Sequence, residues 1–358
     1  MNAFERYLAV YDDKKRFALD RIPLHVQYIR EEFINKNKNQ IMKNYSGFVH
    51  HDDYFDIPMI LGFDSVFAPF PFSYKSKSFR IRKSENEFIR IGEDGQRFPH
   101  TTPYYQGGYI STLEILDELR ANIKIINASK HIQKIVHYYE YLSPSIFPIL
   151  TVDGIFDRVW RAMGMGEFSR HFKANSKLYQ NLIKFYGNLA RINIGGLIDA
   201  TGSRGRVITI LDDVAYKGRT MISPSRWVSD FLPIYKELTS VIVDAGMIPQ
   251  IHTDGNVTDL IPAFIKAGFL GLQGFEGGCD PDFINKNFPQ FVIIGFGDVS
   301  FVLPYGSSQE IETHVKYLIN TLKENRHFII GPSTVIFSEI PLENVINFVN
   351  YSKTYGKY

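Results

Sequence analysis

The chain has 358 residues, 44% hydrophobic and 22% charged, with a formal net charge of +2. That is enough chain for a sizeable core, and too little excess charge to point by itself to a nucleic-acid surface. The lone cysteine, Cys279, excludes an intrachain disulfide and a cysteine-rich metal centre, and no apolar run nears the roughly 20 residues that span a membrane.

The N-terminal stretch "MNAFERYLAVYDDKKRFALD" is charged throughout and lacks a signal-peptide core. A cytoplasmic protein without a membrane or nucleic-acid partner is therefore expected. Short apolar, β-branched runs then recur at 22–29, 59–67, 146–154, 207–214, 248–254, 269–276, 291–298 and 327–334. Their near-continuous hydrophobicity suits parallel strands buried on both faces. Amphipathic stretches at 223–246, 259–268, 307–325 and 341–356 lie between or after them, the first ending at Gly246.

Eight strands alternating with helices predict an α/β fold, a (β/α)8 TIM barrel, with an open doubly wound sheet as the alternative. No G-x-G-x-x-G follows a strand and no G-x-x-x-x-G-K-[ST] occurs, so neither dinucleotide nor P-loop chemistry is supported. Two segments interrupt the alternation. Residues 74–100 read as a β-hairpin insertion after the second strand with "EDGQ" as a turn, a candidate lid or homodimer contact. Residues 155–206 read as a helical excursion. No linker divides the chain, so one domain over 1–358 is expected.

Barrel active sites form at the C-terminal strand ends. The polar residues closing the apolar runs are Asp64, Asp153, Asp212, Asp213, His252, Asp254, Glu276, Asp298, Ser333 and Thr334. In "IHTDGN" (251–256), His252 is either a metal ligand, a proton-transfer group, or a brace for its loop. Asp254 could ligate or orient it, and Glu276, ending the next strand, could complete a nitrogen and oxygen ligand set. Adjacent Asp212 and Asp213 point opposite ways along a strand, so one faces the pocket and the other meets a helix. Tyr216 and Lys217, just beyond, could reach substrate or be exposed loop residues. Asp64, inside an apolar run, is costly to bury unless paired or solvated, and a pocket role is favoured. "VHHDD" (49–53) reads as a solvated loop, Cys279 as an inert small side chain, and Arg80, Arg82 and Arg90 as a solvated β-ribbon.

The stretches "LDDVAYKGRTMISPSRWVSDFLPIYKEL" and "GMIPQIHTDGNVTDLIPAFIKAGFLGLQGFE", with "RIPLHVQ", "LGFDSVFAP" and "IPLENVINFVNYSKTYGKY", resemble the uroporphyrinogen decarboxylase superfamily. The resemblance implies a TIM barrel and one of two chemistries. Its decarboxylases are cofactor-free and depend on an aspartate, to which Asp64 would correspond. Their arginine-rich N-terminal motif and late histidine are missing here, where Pro332 and Ser333 stand in the late histidine's region. Its cobamide-dependent methyltransferases hold Zn through H-x-C and a later cysteine, which would place Asp254 and Thr334 at the thiolate positions.

The resemblance therefore implies an oxygen-rich site in place of thiolates. The first expectation is a methyltransferase-like enzyme acting on a small methylated substrate, with a corrinoid protein as partner. Zn would sit on His252 and Glu276. Asp64, Asp213, His252 and Asp254 would carry the catalysis, and Tyr216, Lys217, Ser333 and Thr334 would contact substrate. The alternatives are a cofactor-free decarboxylase of a tetrapyrrole-type acid and a non-catalytic binding member.

Overall fold

A computed structural model describes the chain apart from residues 44, 69–72, 99–104, 127–128, 202–205 and 276. Eight parallel strands follow one another in chain order around the sheet: β1 (His25–Val26), β2 (Ser65–Ala68), β3 (Phe147–Asp153), β4 (Val207–Leu211), β5 (Ile248–Thr253), β6 (Gly271–Gly274), β7 (Val292–Gly297) and β8 (Phe328–Pro332). A parallel bridge between Leu24 and Ile330 joins the first strand to the last. The fold is a TIM barrel, and all eight apolar runs supply its strands.

One run is split. Its first residues, Met59 to Leu61, end the helix Asp53–Leu61. Gly62, at φ +103°, stops that helix, and β2 begins only at Ser65. An apolar helix end and an apolar strand cannot be told apart by hydrophobicity alone. The 223–246 stretch is likewise two helices, Pro224–Asp230 and Leu232–Asp244. Pro233 lacks the N–H that a continuous helix needs there. Ser307 and Glu310 form a reciprocal capping box that starts the helix Ser308–Leu322.

The barrel interior has its own apolar cluster, including Phe67, Phe147, Ile149, Ile294 and Ile329. The N-terminal helix Ala3–Ala9 packs into the same cluster through Tyr7. Inside, the Gln250 amide donates to Tyr7 Oη at 2.9 Å and accepts from Thr209 Oγ1 at 3.0 Å. Gln250 thus meets its partners inside the barrel, as burial demands of an amide.

The 74–100 segment contains an antiparallel ribbon, Phe79–Arg82 against Phe88–Ile91. Arg80, Arg82 and Arg90 lie on its exposed face, as a solvated ribbon requires. "EDGQ" forms a second turn, closed by Gly92 N donating to Gln96 O at 3.0 Å. The excursion between β3 and β4 comprises the helices Phe156–Met163, Met165–Lys173 and Lys177–Thr201. Among the described residues, no helix is long and apolar enough to cross a membrane.

Candidate active site

The C-terminal end of the barrel gathers side chains from the ends of five strands. His252 is the penultimate residue of β5 and points inward. Its Nδ1 contacts Gln273 Oε1 on β6, while Gln273 Nε2 donates to the Ser333 carbonyl at 3.1 Å. Those two bonds fix which end of the Gln273 amide faces the imidazole. The network therefore assigns the proton to Nδ1 and leaves the Nε2 lone pair facing the mouth.

Three groups surround that lone pair. Asp213 Oδ1 and Asp254 Oδ1 each lie 3.8 Å from His252 Nε2. Gln27, just past β1, places its Nε2 at 3.4 Å. Thr334, just past β8, shares its one hydroxyl proton between Gln27 Oε1 at 2.9 Å and Asp254 Oδ2 at 3.3 Å, which turns the Gln27 N–H groups toward His252. The Asp254 amide donates to Asp213 Oδ1 at 3.2 Å. One ligand atom from each of Asp213, His252 and Asp254 falls within 4.8 Å of the others. An imidazole nitrogen and two carboxylate oxygens, with the other imidazole nitrogen held from behind, form a donor set suited to a divalent ion of intermediate hardness.

A cavity of about 400 Å³ opens at this cluster. Gln27, His252 and Asp213 lie on its floor, and Glu93, Asp157 and Arg158 line it further. Arg158 pairs with Asp153 at 2.9 Å, and Arg161 pairs with Asp157 at 2.6 Å. Burial pushes the Asp157 carboxyl up to about 6, with Arg161 pulling the other way.

Asp212 and Asp213 divide as strand alternation predicts. Asp213 faces the cavity. Asp212 is buried and accepts from the amides of Phe156 and Asp157, at 3.2 and 2.8 Å, where the helix Phe156–Met163 begins. Tyr235 Oη donates to it as well, at 2.5 Å. Burial lifts the Asp212 carboxyl to about 7 against the pull of these donors. In the unfolded chain the same carboxyl titrates near 3.8. Between those values the native state holds the extra proton, so raising the pH through that window weakens folding. Urea denaturation of the parent and Asp212→Asn is expected to show the parent losing stability relative to the variant as pH rises from 4 to 7. A pH-independent difference would mean that Asp212 stays ionised throughout.

The remaining predicted site residues disperse. Asp64 is corrected: it precedes β2, at the N-terminal end of the barrel, and cannot reach the mouth. Arg6 and Arg21 hold its carboxylate at 2.7 Å each. The run containing it starts as a helix, so the acid falls before the strand and not at its end. Tyr216 is exposed on the rim, its hydroxyl accepting from Arg219 Nε at 2.7 Å. Lys217 donates to Ser300 Oγ at 2.9 Å, also on the rim. Ser333 is buried, and its carbonyl serves Gln273. Glu276 lies outside the described residues. Half-buried Cys279 reaches the Gly255 carbonyl at 3.6 Å and is not part of the trio. In "VHHDD", Asp52 caps the helix that follows it.

Sequence reading missed Gln27 and Gln273. Both were visible as polar interruptions near the ends of "IPLHVQ" and "FLGLQG". Their neutral amides drew less notice than the acids, although burying them demands partners just as firmly.

The family model for uroporphyrinogen decarboxylase matches residues 156–355, more than half of the chain and all of β4 to β8. The chain belongs to the uroporphyrinogen decarboxylase family. Its trio lies wholly within the matched region. Among solved structures, a methyltransferase from Methanosarcina mazei is similar over 99% of both chains, at 16% identity and a TM-score of 0.65. That likeness shows the shared fold. A xylose isomerase domain protein from Alicyclobacillus acidocaldarius aligns over 84% of this chain and 90% of its own, at 11% identity and a TM-score of 0.35. No curated protein matches the sequence.

Proposed function

We propose that this family member is a methyltransferase-like enzyme, acting as one domain in the cytoplasm on a small methylated substrate, with a corrinoid carried by a partner protein. The observation that carries the reading is the convergence of Asp213, His252 and Asp254 at the mouth cavity. A divalent ion held by those three would supply Lewis acidity to the methylated heteroatom. Zn fits the nitrogen and oxygen set. The chain's own residues do the rest. Gln273 and Ser333 hold the imidazole in one tautomer. Thr334 orients both Gln27 and Asp254. Gln27 keeps a hydrogen-bond donor beside His252 Nε2, close to where a substrate heteroatom would sit.

The methyltransferase from Methanosarcina mazei supports the reading as a structural neighbour along the full chain. The decarboxylase alternative is the weaker one. Its aspartate would be Asp64, which is bound to two arginines at the far end of the barrel.

The deciding experiment is metal analysis of protein purified without oxygen, followed by titration with Zn. About one equivalent is expected, falling in Asp213→Asn and Asp254→Asn variants that keep the parent's circular dichroism. Protein that takes up no Zn would overturn the reading.

A further inference from the structure

Resting on that reading of the cavity, we infer that the substrate carries an ammonium group in addition to its methylated heteroatom, and that Glu93 selects for it. The cation would sit against Glu93 while the heteroatom faces Asp213, His252 and Asp254.

The charges of the cavity wall motivate this. Its two guanidinium groups are committed: Arg158 to Asp153 and Arg161 to Asp157. Arg158 also donates to Tyr74 Oη at 3.1 Å and lies over the Tyr186 ring at 4.8 Å. These pairs commit both guanidinium groups to other carboxylates, although the charge of Arg158 still reaches Glu93. Its carboxylate has no hydrogen bond or ion pair among the described residues, yet it lines the cavity and is only half-exposed. Burial holds its carboxyl above the usual range, while the charge of Arg158 acts to lower it. A partly desolvated carboxylate without a fixed counter-ion gains most from a cation that arrives with the ligand. Even with a divalent ion offset by Asp213 and Asp254, Glu93 leaves the described residues of this wall with a negative excess. An anionic substrate would be repelled.

Glu93 is also held in place. Its carbonyl accepts from Tyr186 Oη at 3.4 Å. The next residue, Asp94, accepts from the Gln96 amide at 3.0 Å. Gly95, at φ +75°, lies against the helix Phe156–Met163 so closely that a Cβ would stand 2.8 Å from Ala162 Cα. The carboxylate is therefore presented by a braced turn, and a preorganised charge binds with little ordering cost.

The test compares 2-methoxyethylamine, an ammonium at neutral pH, with 1-methoxypropane, its uncharged carbon isostere, by calorimetric titration of the full chain. The amine is expected to bind about tenfold tighter, the ratio one charge-assisted contact supplies. Glu93→Gln should erase the preference, and Glu93→Asp should restore part of it. Equal affinity for the two probes, binding by neither, or an undiminished preference in Glu93→Gln would overturn the inference. Metal content is read on the same samples. A retained preference for the amine without metal would sink the metal reading alone. Metal without that preference would sink only the present inference.

Discussion

Asp64→Ala is expected to destabilise the protein by about 3–5 kcal/mol, the usual cost of removing one partner from a buried ion pair. Asp64 accepts four hydrogen bonds: one from Arg6, two from Arg21 and one from the Leu24 amide, at 2.7 to 2.8 Å. These tie the N-terminal helix, the entry to β1 and the start of β2 into one knot. Truncation would leave two guanidinium groups with little access to water, and a buried amide without an acceptor. Arg6 would keep Asp20, at 2.8 Å, as a partial substitute. Whole-domain stabilities are only about 5–15 kcal/mol, so a large fall in urea midpoint should be seen. The folded fraction should still bind Zn like the parent, because the mouth is at the other end of the barrel. A variant as stable as the parent but inactive would return Asp64 to the catalytic list.

His252→Ala is expected to abolish Zn binding with little effect on the fold, since the lost ring opens toward the cavity. Gln273→Ala should weaken Zn binding by roughly 10–100-fold, the usual effect of losing a partner behind a ligand. Gln273 does not belong to the trio; it acts by holding the proton on His252 Nδ1, so that Nε2 stays available. Without it, the ring can rotate or change tautomer. Gln273→Glu keeps an acceptor for Nδ1 but loses the donor to the Ser333 carbonyl, and should fall between. Competition with a chelator of known affinity measures all three. Equal Zn affinity in the parent and Gln273→Ala would show that another contact orients the ring.

Much of this was legible in the sequence. The eight apolar runs identify the barrel because parallel strands covered on both faces must be apolar along their length. "IHTDGN" places His252 and Asp254 at the site because a strand that stops being apolar has reached the rim. The same logic failed at Asp64. There, apolarity continued unbroken from a helix into a strand, and only Gly62 marked the join. It was blind to Gln27 and Gln273 for a different reason: an uncharged amide in a strand carries no sign of which partner it meets.

By itself, the sequence determined the barrel and its strand order, and it ruled out a cysteine-rich metal centre. All of these follow from local periodicity and composition. The tertiary structure decided which acid of the 212–213 pair faces the cavity, which end of the barrel holds Asp64, and that Thr334, Gln27 and Asp254 meet. It also decided that the turn at Glu93 overhangs the mouth. Such facts depend on how strands distant in the chain are rotated about the barrel axis, and on the 3 Å scale at which hydrogen bonds form. Neither is encoded in the spacing of residues along one segment.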